Sequence, residues 1–331
     1  MKPLSDRIVT KLRVEMQVPD LEGTRYSVVR HLARGGMGSV WLAEDTVLKR
    51  RVALKVLDLV APGEDLALRL LQEARILAGL EHPGIVPVHD AGTLADGRAF
   101  YCMKYIEGET LAQHIAMKNL PDKLRLLERI AEPLDFAHAR GFIHRDLKPE
   151  NIMIGAFGEV LVMDWGLAKV GVTSQKPGDN ESAAFVPPTQ TLQRVTGQGS
   201  VLGTPGYMSP EQARGSGAEL DHRTDIFSLG AILSFVLTGS TSGESSATGS
   251  VPRPLRAIWE KAMAADPNAR YQCAGELTAD IARYLSGAPV LAYPEGLIER
   301  AGRIYARHRT AVVLIAAYLL MRVLFILLSR R

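Results

Sequence analysis

The most specific motif in this sequence is His144-Arg145-Asp146-Leu147-Lys148-Pro149-Glu150-Asn151, and Asp164-Trp165-Gly166 begins thirteen residues after its last residue. Carboxylates and an amide oxygen beside a phosphate are ligands that Mg2+ prefers. A further carboxylate can accept a proton from an attacking hydroxyl group. A nearby lysine can neutralise the charge that develops on a transferred phosphoryl group. Eight specific residues in a row, followed at this distance by a second acidic turn, predict a phosphoryl-transfer site.

A glycine-rich segment lies upstream, in Leu32-Ala33-Arg34-Gly35-Gly36-Met37-Gly38-Ser39-Val40 between two predicted strands. Glycines let a backbone approach a phosphate closely and direct N–H groups at it. Lys55 follows fifteen residues after Val40 on an apolar strand, and its charge needs a partner, which Glu73 in the next predicted helix can supply. Taken separately, these features also fit an ordinary hairpin turn and surface residues, so the downstream motif is the stronger signal.

Apolar runs and helical periodicities divide the chain into a strand-rich part and a helical part. Three strands within residues 26–58, two more at 86–88 and 99–104, and a helix at 66–80 make one five-stranded unit. Helices are predicted at 122–140, 224–238, 255–264 and 274–285, and brief strands at 152–154 and 160–163. Residues 171–200 and 238–250 are rich in Ser, Thr and Gly, which predicts loops.

With these motifs in this order, the chain resembles the protein kinase family in its bacterial serine/threonine form. The resemblance covers residues 26–285 and implies an α+β, two-lobed protein kinase fold. The N-lobe, 26–106, would hold a five-stranded antiparallel sheet with one helix, and the C-lobe, 107–285, would be mainly helical. ATP would bind in the cleft between them. The lysine at position 148 resembles the residue found at this point of the motif in serine/threonine kinases, and not the one found in tyrosine kinases.

The resemblance also implies a role for individual residues. Asp146 matches the catalytic base, and Lys148 would contact the γ-phosphate. Asn151 and Asp164 match the ligands of Mg2+, with Mn2+ as an alternative. Val40 and Ala53 would pack on adenine, Met103 would be the gatekeeper, and 104–106 the hinge. The implied ATP-binding residues are Leu32, Ala33, Arg34, Gly35, Gly36, Met37, Gly38, Ser39, Val40, Ala53, Lys55, Glu73, Met103 and Tyr105.

The segment 203–211 resembles the end of a kinase activation segment. By this resemblance Glu211 would pair with Arg270, Thr204 would help to form the acceptor site, and Asp225 would hold the backbone of the His144-Arg145 turn. Arg145 would read an activation-segment phosphate. The candidate phosphate acceptors are Thr189, Thr191, Thr196, Ser200 and Thr204. Autophosphorylation in trans within a homodimer is therefore one hypothesis, and a solvated insert without a regulatory role is the other.

Four departures from the family pattern leave an alternative open. Ala33 replaces the first loop glycine, Trp165 replaces a phenylalanine, Lys104 replaces a hinge glutamate, and 239–251 is shorter than usual. These departures favour a non-catalytic pseudokinase over an active enzyme, whereas the complete set of chemical residues favours activity on serine and threonine hydroxyls of proteins. A small-molecule phosphotransferase is a third hypothesis, but that class lacks the segment seen at 203–211.

Composition excludes some other classes of protein. A formal net charge of +3 gives no bulk field that favours nucleic acid. Cys102 and Cys273 are far apart without metal-ligand spacing, as expected for reduced thiols. Residues 1–25 are predicted to be a leader, and their mixed charges do not fit a secretory signal peptide.

The C-terminal residues predict a membrane anchor. Residues 311–328 carry a single charge, Arg322, and as a helix of about 1.5 Å per residue they span about 27 Å. We therefore expect a transmembrane helix at 310–328 in contact with lipid, preceded by a basic juxtamembrane linker at 286–309. Arginines 300, 303, 307 and 309 place the kinase domain in the cytoplasm by the positive-inside rule. The alternative is a buried or interfacial helix.

Overall fold

The structure, a computed structural model, describes residues 18–35, 38–58, 64–115, 119–165, 168–169, 206–214, 220–239, 251–296, 298–300, 302 and 309–329. Gly36, Met37 and Thr204 lie outside these ranges, as do the other four candidate phosphate acceptors and nearly all of the loops predicted at 171–200 and 238–250.

A five-stranded antiparallel sheet forms the N-lobe, in the order β1-β2-β3-β5-β4. Its strands are β1 (Tyr26–Arg34), β2 (Gly38–Asp45), β3 (Arg50–Leu57), β4 (Val88–Thr93) and β5 (Ala99–Lys104). Side chains alternate between the two faces of a strand, and β3 shows the result. Val52, Leu54 and Val56 pack in an outer cluster, whereas Ala53 and Leu57 join the main core of the molecule. The residue between them, Lys55, therefore faces the inner side.

Helix α1 (Glu64–Gly79) packs against the inner face of this sheet. Leu70, Ala74 and Leu77 are buried and recur at the three- and four-residue spacing of one helix face. The helix predicted at 66–80 is thus present, shifted by one or two residues at its ends. Its buried face holds the helix on the sheet, and Glu73 lies beside that face.

Strand β4 is where the sequence prediction was wrong. We expected it at 86–88, but it runs from Val88 to Thr93 and is largely polar. Among the strands that the structure describes, β5 is its only partner in the sheet, so β4 is an edge strand and does not need an alternating apolar pattern. The apolar residues Ile85 and Val86 are buried because they contact the second lobe, where Ile85 forms a bridge with Val162.

The C-lobe is built mainly from helices, with two small sheets at its upper surface. The helices are α2 (Leu111–His114), α3 (Leu120–His138), α4 (Pro210–Ala213), α5 (Arg223–Thr238), α6 (Arg253–Ala262) and α7 (Ala274–Leu285). One sheet has the order β6-β8-β9, and the other pairs β10 with β7. These strands are β6 (Gly108–Thr110), β7 (Phe142–Ile143), β8 (Ile152–Gly155), β9 (Val160–Val162) and β10 (Ala168–Lys169). The predicted two-lobed α+β fold is confirmed.

Helix α5 forms the centre of the C-lobe, and nearly all of its residues are buried. Its glycine, Gly230, lies against helix α6, where an added Cβ would come within 2.6 Å of the Ala262 Cβ. Gly239 ends the helix with a φ of 77°, a left-handed conformation that glycine adopts without strain. This helix is a rigid support for the loop that contains Asp146, as described below.

The chain after α7 continues along the C-lobe, where Val290 is buried in the core. Helix α8 (Arg309–Ser329) follows. Among the described helices, none has the length together with the apolar character that crossing a membrane requires. The structure therefore does not support the transmembrane helix predicted at 310–328.

Candidate active site

Asp225 fixes the loop that carries the first motif. It lies on α5 with no exposed surface, and its carboxylate accepts hydrogen bonds from the backbone N–H of His144 at 2.8 Å and of Arg145 at 2.9 Å. Burial would raise the pKa of Asp225, but hydrogen bonds from His138 and from the loop backbone hold it below its ordinary value. Arg145 has a φ of 66°, a strained conformation for this residue, which these bonds stabilise. The role predicted for Asp225 corresponds to this contact.

Asp146, Lys148 and Asn151 lie together on this loop, which ends in a 3-10 turn at Pro149–Asn151. The Lys148 Nζ is 2.9 Å from Asp146 Oδ2. The amide N–H of Asn151 donates to the backbone carbonyl of Asp146 at 2.8 Å. Since that amide nitrogen is engaged, the amide oxygen is the atom of Asn151 that suits a metal ion.

Asp164 is brought beside this loop by backbone contacts of the residue before it. The Met163 N–H donates to the Asn151 carbonyl at 2.8 Å, and the Met163 carbonyl accepts from His144 Nε2 at 2.9 Å. Burial lowers the pKa of His144, which favours the neutral ring. The unprotonated Nδ1 of that ring can then accept from the Asp146 N–H at 3.3 Å. Asp164 itself has a φ of 51° and is partly exposed. The two motifs therefore meet at one place.

Lys55 joins the N-lobe to this site. Its Nζ is 3.0 Å from Glu73 Oε1 on helix α1 and 3.0 Å from Asp164 Oδ1 in the C-lobe. Burial would lower the pKa of Lys55, but the neighbouring carboxylates outweigh it and raise the pKa above its ordinary value. The lysine is thus held as a cation between two carboxylates at the back of the cleft.

Trp165 fills the position that follows Asp164. Its side chain is buried, its Nε1 donates to the Val162 carbonyl at 3.4 Å, and its ring lies 4.9 Å from the His144 ring between centroids. A phenylalanine has no N–H and could not make that hydrogen bond. The larger ring is therefore accommodated, and it contributes a polar contact of its own.

The described residues of the glycine-rich segment lie at the end of β1 and at the start of β2. The Gly35 N–H donates to the Gly38 carbonyl at 2.8 Å. A Cβ added at Gly38 would lie 2.2 Å from the Val56 carbonyl oxygen, so no other residue fits without movement of the backbone. Asp58 holds both strand ends, because it accepts from Ser39 Oγ at 2.6 Å and pairs with Arg34 Nε at 2.9 Å.

The apolar part of the predicted ATP site surrounds the same cleft. Ala53 and Met103 belong to the main buried core, and Leu32, Val40 and Tyr105 pack against it. The exposed Lys104 is held through its backbone, whose N–H donates to the Pro87 carbonyl at 3.0 Å. Of the predicted site residues, Gly36 and Met37 lie outside the described ranges, and Ala33 is exposed on β1.

Two residues that contact the site were not predicted from the sequence, namely Asp58 and Tyr101. Asp58 follows the end of β3, and Tyr101 lies on β5 with its hydroxyl 2.9 Å from Glu73 Oε1. Neither residue belongs to the two motifs, and each contacts a residue that is distant in the sequence. A tyrosine within an otherwise apolar strand was the only sequence signal.

The donor set suits a divalent metal ion bound together with a phosphate. One carboxylate, from Asp164, and one amide oxygen, from Asn151, offer two of the six oxygen ligands of Mg2+. No group of three or more His, Cys, Asp or Glu side chains in the described part of the chain could hold a metal by itself. Phosphate oxygens and water would complete such a site, as is usual for Mg2+.

A comparison with protein families identifies this arrangement. The sequence model of the family described as the protein kinase domain matches residues 26–274, most of the chain. This chain belongs to the protein kinase domain family. Its relatives include a serine/threonine-protein kinase PknD of Protochlamydia amoebophila, which is 36% identical over 301 residues, covering 79% of this chain and 30% of that protein. A PknD of Chlamydia felis is 36% identical over 299 residues, covering 80% of this chain and 31% of that protein.

This kinase chain therefore spans just under a third of the length of these curated relatives. Among solved structures, the crystal structure of the Mycobacterium tuberculosis PknI kinase domain is similar, with a TM-score of 0.57 and 25% identity, covering 78% of this chain and 95% of that one. The two curated relatives are described as serine/threonine-protein kinases.

Proposed function

We propose that this chain transfers the γ-phosphoryl group of ATP to serine and threonine hydroxyls of proteins. The observation that carries the proposal is the position of Lys55, whose Nζ lies 3.0 Å from both Glu73 and Asp164. This contact joins the two lobes at a site that also holds Asp146, Lys148 and Asn151 (a complete set of groups for phosphoryl transfer).

In this proposal Lys55 binds the α- and β-phosphates, and Glu73 keeps it in place. Asn151 and Asp164 would hold Mg2+, or Mn2+ in its place, against the phosphates, and the ion would neutralise their charge. The apolar residues Ala53 and Met103 would contact adenine. The glycine-rich segment that contains Gly35 and Gly38 would cover the phosphates with backbone N–H groups.

The protein's own groups account for the transfer step. The acceptor hydroxyl oxygen forms a bond to the γ-phosphorus while the bond to the β–γ bridging oxygen breaks, and ADP leaves with that electron pair. Asp146 accepts the hydroxyl proton. Lys148, 2.9 Å from Asp146, is placed to stabilise the charge on the transferred group.

A peptide phosphorylation assay with ATP and Mg2+ tests this proposal. We expect Asp146→Ala to lower kcat by about 10²–10⁴-fold, the usual contribution of a positioned base, and Lys55→Met to abolish measurable activity. Lys104→Met, which changes an exposed hinge lysine, is the matched control and should stay close to wild type. Activity that survives Asp146→Ala, or a wild-type protein without activity, would refute the mechanism, and the second result would indicate a pseudokinase.

Regulation by autophosphorylation is a further part of the proposal. It rests on the hydroxyl residues between 164 and 211 in the sequence and on Arg145, whose Nε is buried without a hydrogen-bond partner among the described residues. We expect wild-type protein incubated with ATP to gain phosphate in 189–204, and Lys55→Met to gain it only when active kinase is added, as in trans phosphorylation between two copies. Mass spectrometry of both proteins measures this.

We also propose that residues 310–328 attach the kinase domain to the cytoplasmic side of a membrane. The support is the apolar sequence with arginines on its N-terminal side, and the exposed apolar side chains on α8, such as Leu314, Leu320 and Phe325. Flotation with lipid vesicles should carry wild-type protein but not a Leu314→Asp, Leu320→Asp double variant. An alkaline carbonate wash separates a helix that crosses the bilayer from one that lies on it.

A further inference from the structure

Tyr101 is a fully buried tyrosine directly behind the cleft. It lies on β5, where its Cα is the cross-strand partner of Lys55 on β3. Its hydroxyl donates to Glu73 Oε1 at 2.9 Å. The two neighbours of Tyr101 along β5, Phe100 and Cys102, belong instead to the outer cluster on the opposite face of the sheet. The hydroxyl thus points inward, toward the lysine–glutamate pair.

One carboxylate oxygen receives both contacts. Glu73 Oε1 accepts from Tyr101 at 2.9 Å and from Lys55 Nζ at 3.0 Å, and the same Nζ contacts Asp164. The Lys55 Nζ also lies 5.6 Å from the centre of the Tyr101 ring, within the range of a cation–π contact. A tyrosine side chain has few rotatable bonds and here is fixed by burial, so it offers a rigid reference point on the sheet.

The contact ties the position of helix α1 to the sheet. Glu73 is carried by α1, and any displacement that withdraws its carboxylate leaves the buried Tyr101 hydroxyl without its acceptor. A buried polar group that loses its partner is costly. Burial raises the pKa of Tyr101 well above its ordinary value, so the hydroxyl keeps its proton over the working pH range.

We infer that Tyr101 is a positioning residue for the proposed phosphoryl transfer, because its hydroxyl holds Glu73 where it can orient Lys55 toward the ATP phosphates. The inference rests on the proposed function. Tyr101 touches neither substrate nor reacting atoms in this account, and it acts through Glu73. A role in packing alone would be satisfied by the ring without the hydroxyl, so removal of the oxygen separates the two roles.

Tyr101→Phe is the decisive variant, and Tyr26→Phe is its matched control. Tyr26 is also buried in the N-lobe and donates to a carboxylate, Asp90, at 2.9 Å, but it lies in the outer cluster. Both changes remove one tyrosine hydroxyl from a contact with a carboxylate, and the Tyr26 hydroxyl also accepts from the Arg25 guanidinium. We expect Tyr101→Phe to lower kcat/KM for ATP about ten- to hundredfold, in line with a lost hydrogen bond to a charged group. Tyr26→Phe should stay within about twofold.

A double-variant cycle identifies the route of the effect. In a Glu73→Gln background, which removes the charge that Tyr101 orients, adding Tyr101→Phe should change kcat/KM by less than about twofold. Similar urea midpoints for Tyr101→Phe and Tyr26→Phe would separate the effect from general destabilisation. An unchanged kcat/KM in Tyr101→Phe, or an equal loss with and without Glu73, would overturn the inference.

Hydrogen exchange provides a readout that does not depend on catalysis. Amides of α1 within 70–79 should exchange faster in Tyr101→Phe than in wild type or Tyr26→Phe, because the helix has lost a tie to the sheet. An inactive wild-type protein would refute the proposed function. Hydrogen exchange would still test whether the contact between Tyr101 and Glu73 holds helix α1 on the sheet. Exchange rates equal in all three proteins would overturn the inference even if the wild type is active.

Discussion

Glu211 and Arg270 form a buried ion pair that joins the segment after the active site to the base of the C-lobe. Arg270 Nη1 lies 2.6 Å from Glu211 Oε1 and Nη2 lies 2.8 Å from Oε2, a two-bonded arrangement. Arg270 has no exposed side-chain surface, and Glu211 is 8% exposed. This pair corresponds to the one predicted from the sequence. Burial would raise the pKa of Glu211, but the hydrogen bonds from Arg270 lower it to about 2.

The ion pair makes the free energy of unfolding decrease as the pH falls. Since the folded-state pKa of Glu211 lies below its ordinary value of 4.5, its contribution is fully present above about pH 5 and is lost as the pH falls toward 2. This single group should remove about 2 kcal/mol of unfolding free energy between pH 6 and pH 3. Urea unfolding at several pH values measures it.

Glu211→Gln is the comparison for that measurement. The variant should be less stable at pH 7, because Arg270 then lacks its charged partner, and its unfolding free energy should fall less steeply between pH 6 and pH 3. Other buried carboxylates, such as Asp225, titrate in both proteins and cancel in the difference. Parallel pH profiles for the two proteins would show that the pKa of Glu211 is not depressed.

Among the strands and helices, those with a clear pattern of buried apolar residues could be predicted from the sequence. Strand β5 (Ala99–Lys104) and helix α7 (Ala274–Leu285) have the predicted bounds, because each carries a clear apolar pattern. Strand β4 could not be predicted in this way, because its side chains show no apolar pattern. Its extended conformation is stabilised by backbone hydrogen bonds to β5. The short strands β6 and β10 also carry too few residues to show a period.

The residues of the candidate site also divide into those that the sequence predicted and those that it did not. Residues within the motifs, such as Asp146 and Asp164, were predicted because their chemistry and spacing are specific. Tyr101 and Asp58 were missed because each depends on which residue the fold brings opposite it. Sequence periodicity predicts which face a residue occupies, but it does not report a contact across a sheet or between two strand ends.

Asp58 permits a prediction for the turn between β1 and β2. It contacts Arg34 at the end of β1 and Ser39 at the start of β2, so it connects both strands beside the glycine-rich segment to the end of β3. We expect Asp58→Ala to raise KM for ATP about three- to tenfold, the effect of one or two lost polar contacts at a partly exposed position. The value of kcat should change less, because Lys55 and Asp146 are untouched.

Steady-state kinetics at varied ATP concentration measures this effect. Asp90→Asn is the control, since Asp90 also holds polar partners in the N-lobe, namely Arg25 and Tyr26, but lies on β4 away from the turn. Its KM for ATP should equal that of wild type. An Asp58→Ala protein with unchanged KM would show that the turn needs no support from β3.

At the level of the whole molecule, the two lobes share the main hydrophobic core, and two sets of polar contacts also connect them in the described part of the chain. Val162 on β9 accepts from the Val86 N–H at 3.4 Å and donates to the Gly84 carbonyl at 2.8 Å, so the link before β4 is fastened to the C-lobe. Lys55 and Asp164 make the second connection across the cleft. The backbone contacts form a fixed junction, and the ion pair lies where ATP would bind, so nucleotide binding and lobe geometry should be coupled.

Asp280 determines how the chain leaves the C-lobe. It has no exposed surface, and its carboxylate accepts from the Tyr271 hydroxyl and from the backbone N–H groups of Leu291 and Ala292, each at 2.9 Å. The segment that follows α7 is therefore held on the lobe, with Val290 in the core, before the chain continues toward α8.

Asp280→Ala should release that segment. Three donors would lose their acceptor, among them the buried Tyr271 hydroxyl, so we expect a loss of about 3–5 kcal/mol of unfolding free energy and faster proteolytic cleavage near residues 286–296. Arg283→Ala removes only the half-exposed partner that contacts Asp280 at 2.9 Å, and it should cost less than about 1 kcal/mol without new cleavage. If both variants unfold at the same urea concentration and resist protease equally, the segment is held by the packing of Val290 and not by the carboxylate. Phosphorylation of a soluble peptide should persist in Asp280→Ala below its unfolding midpoint, because the contacts around Lys55 and Asp146 do not involve this corner of the molecule.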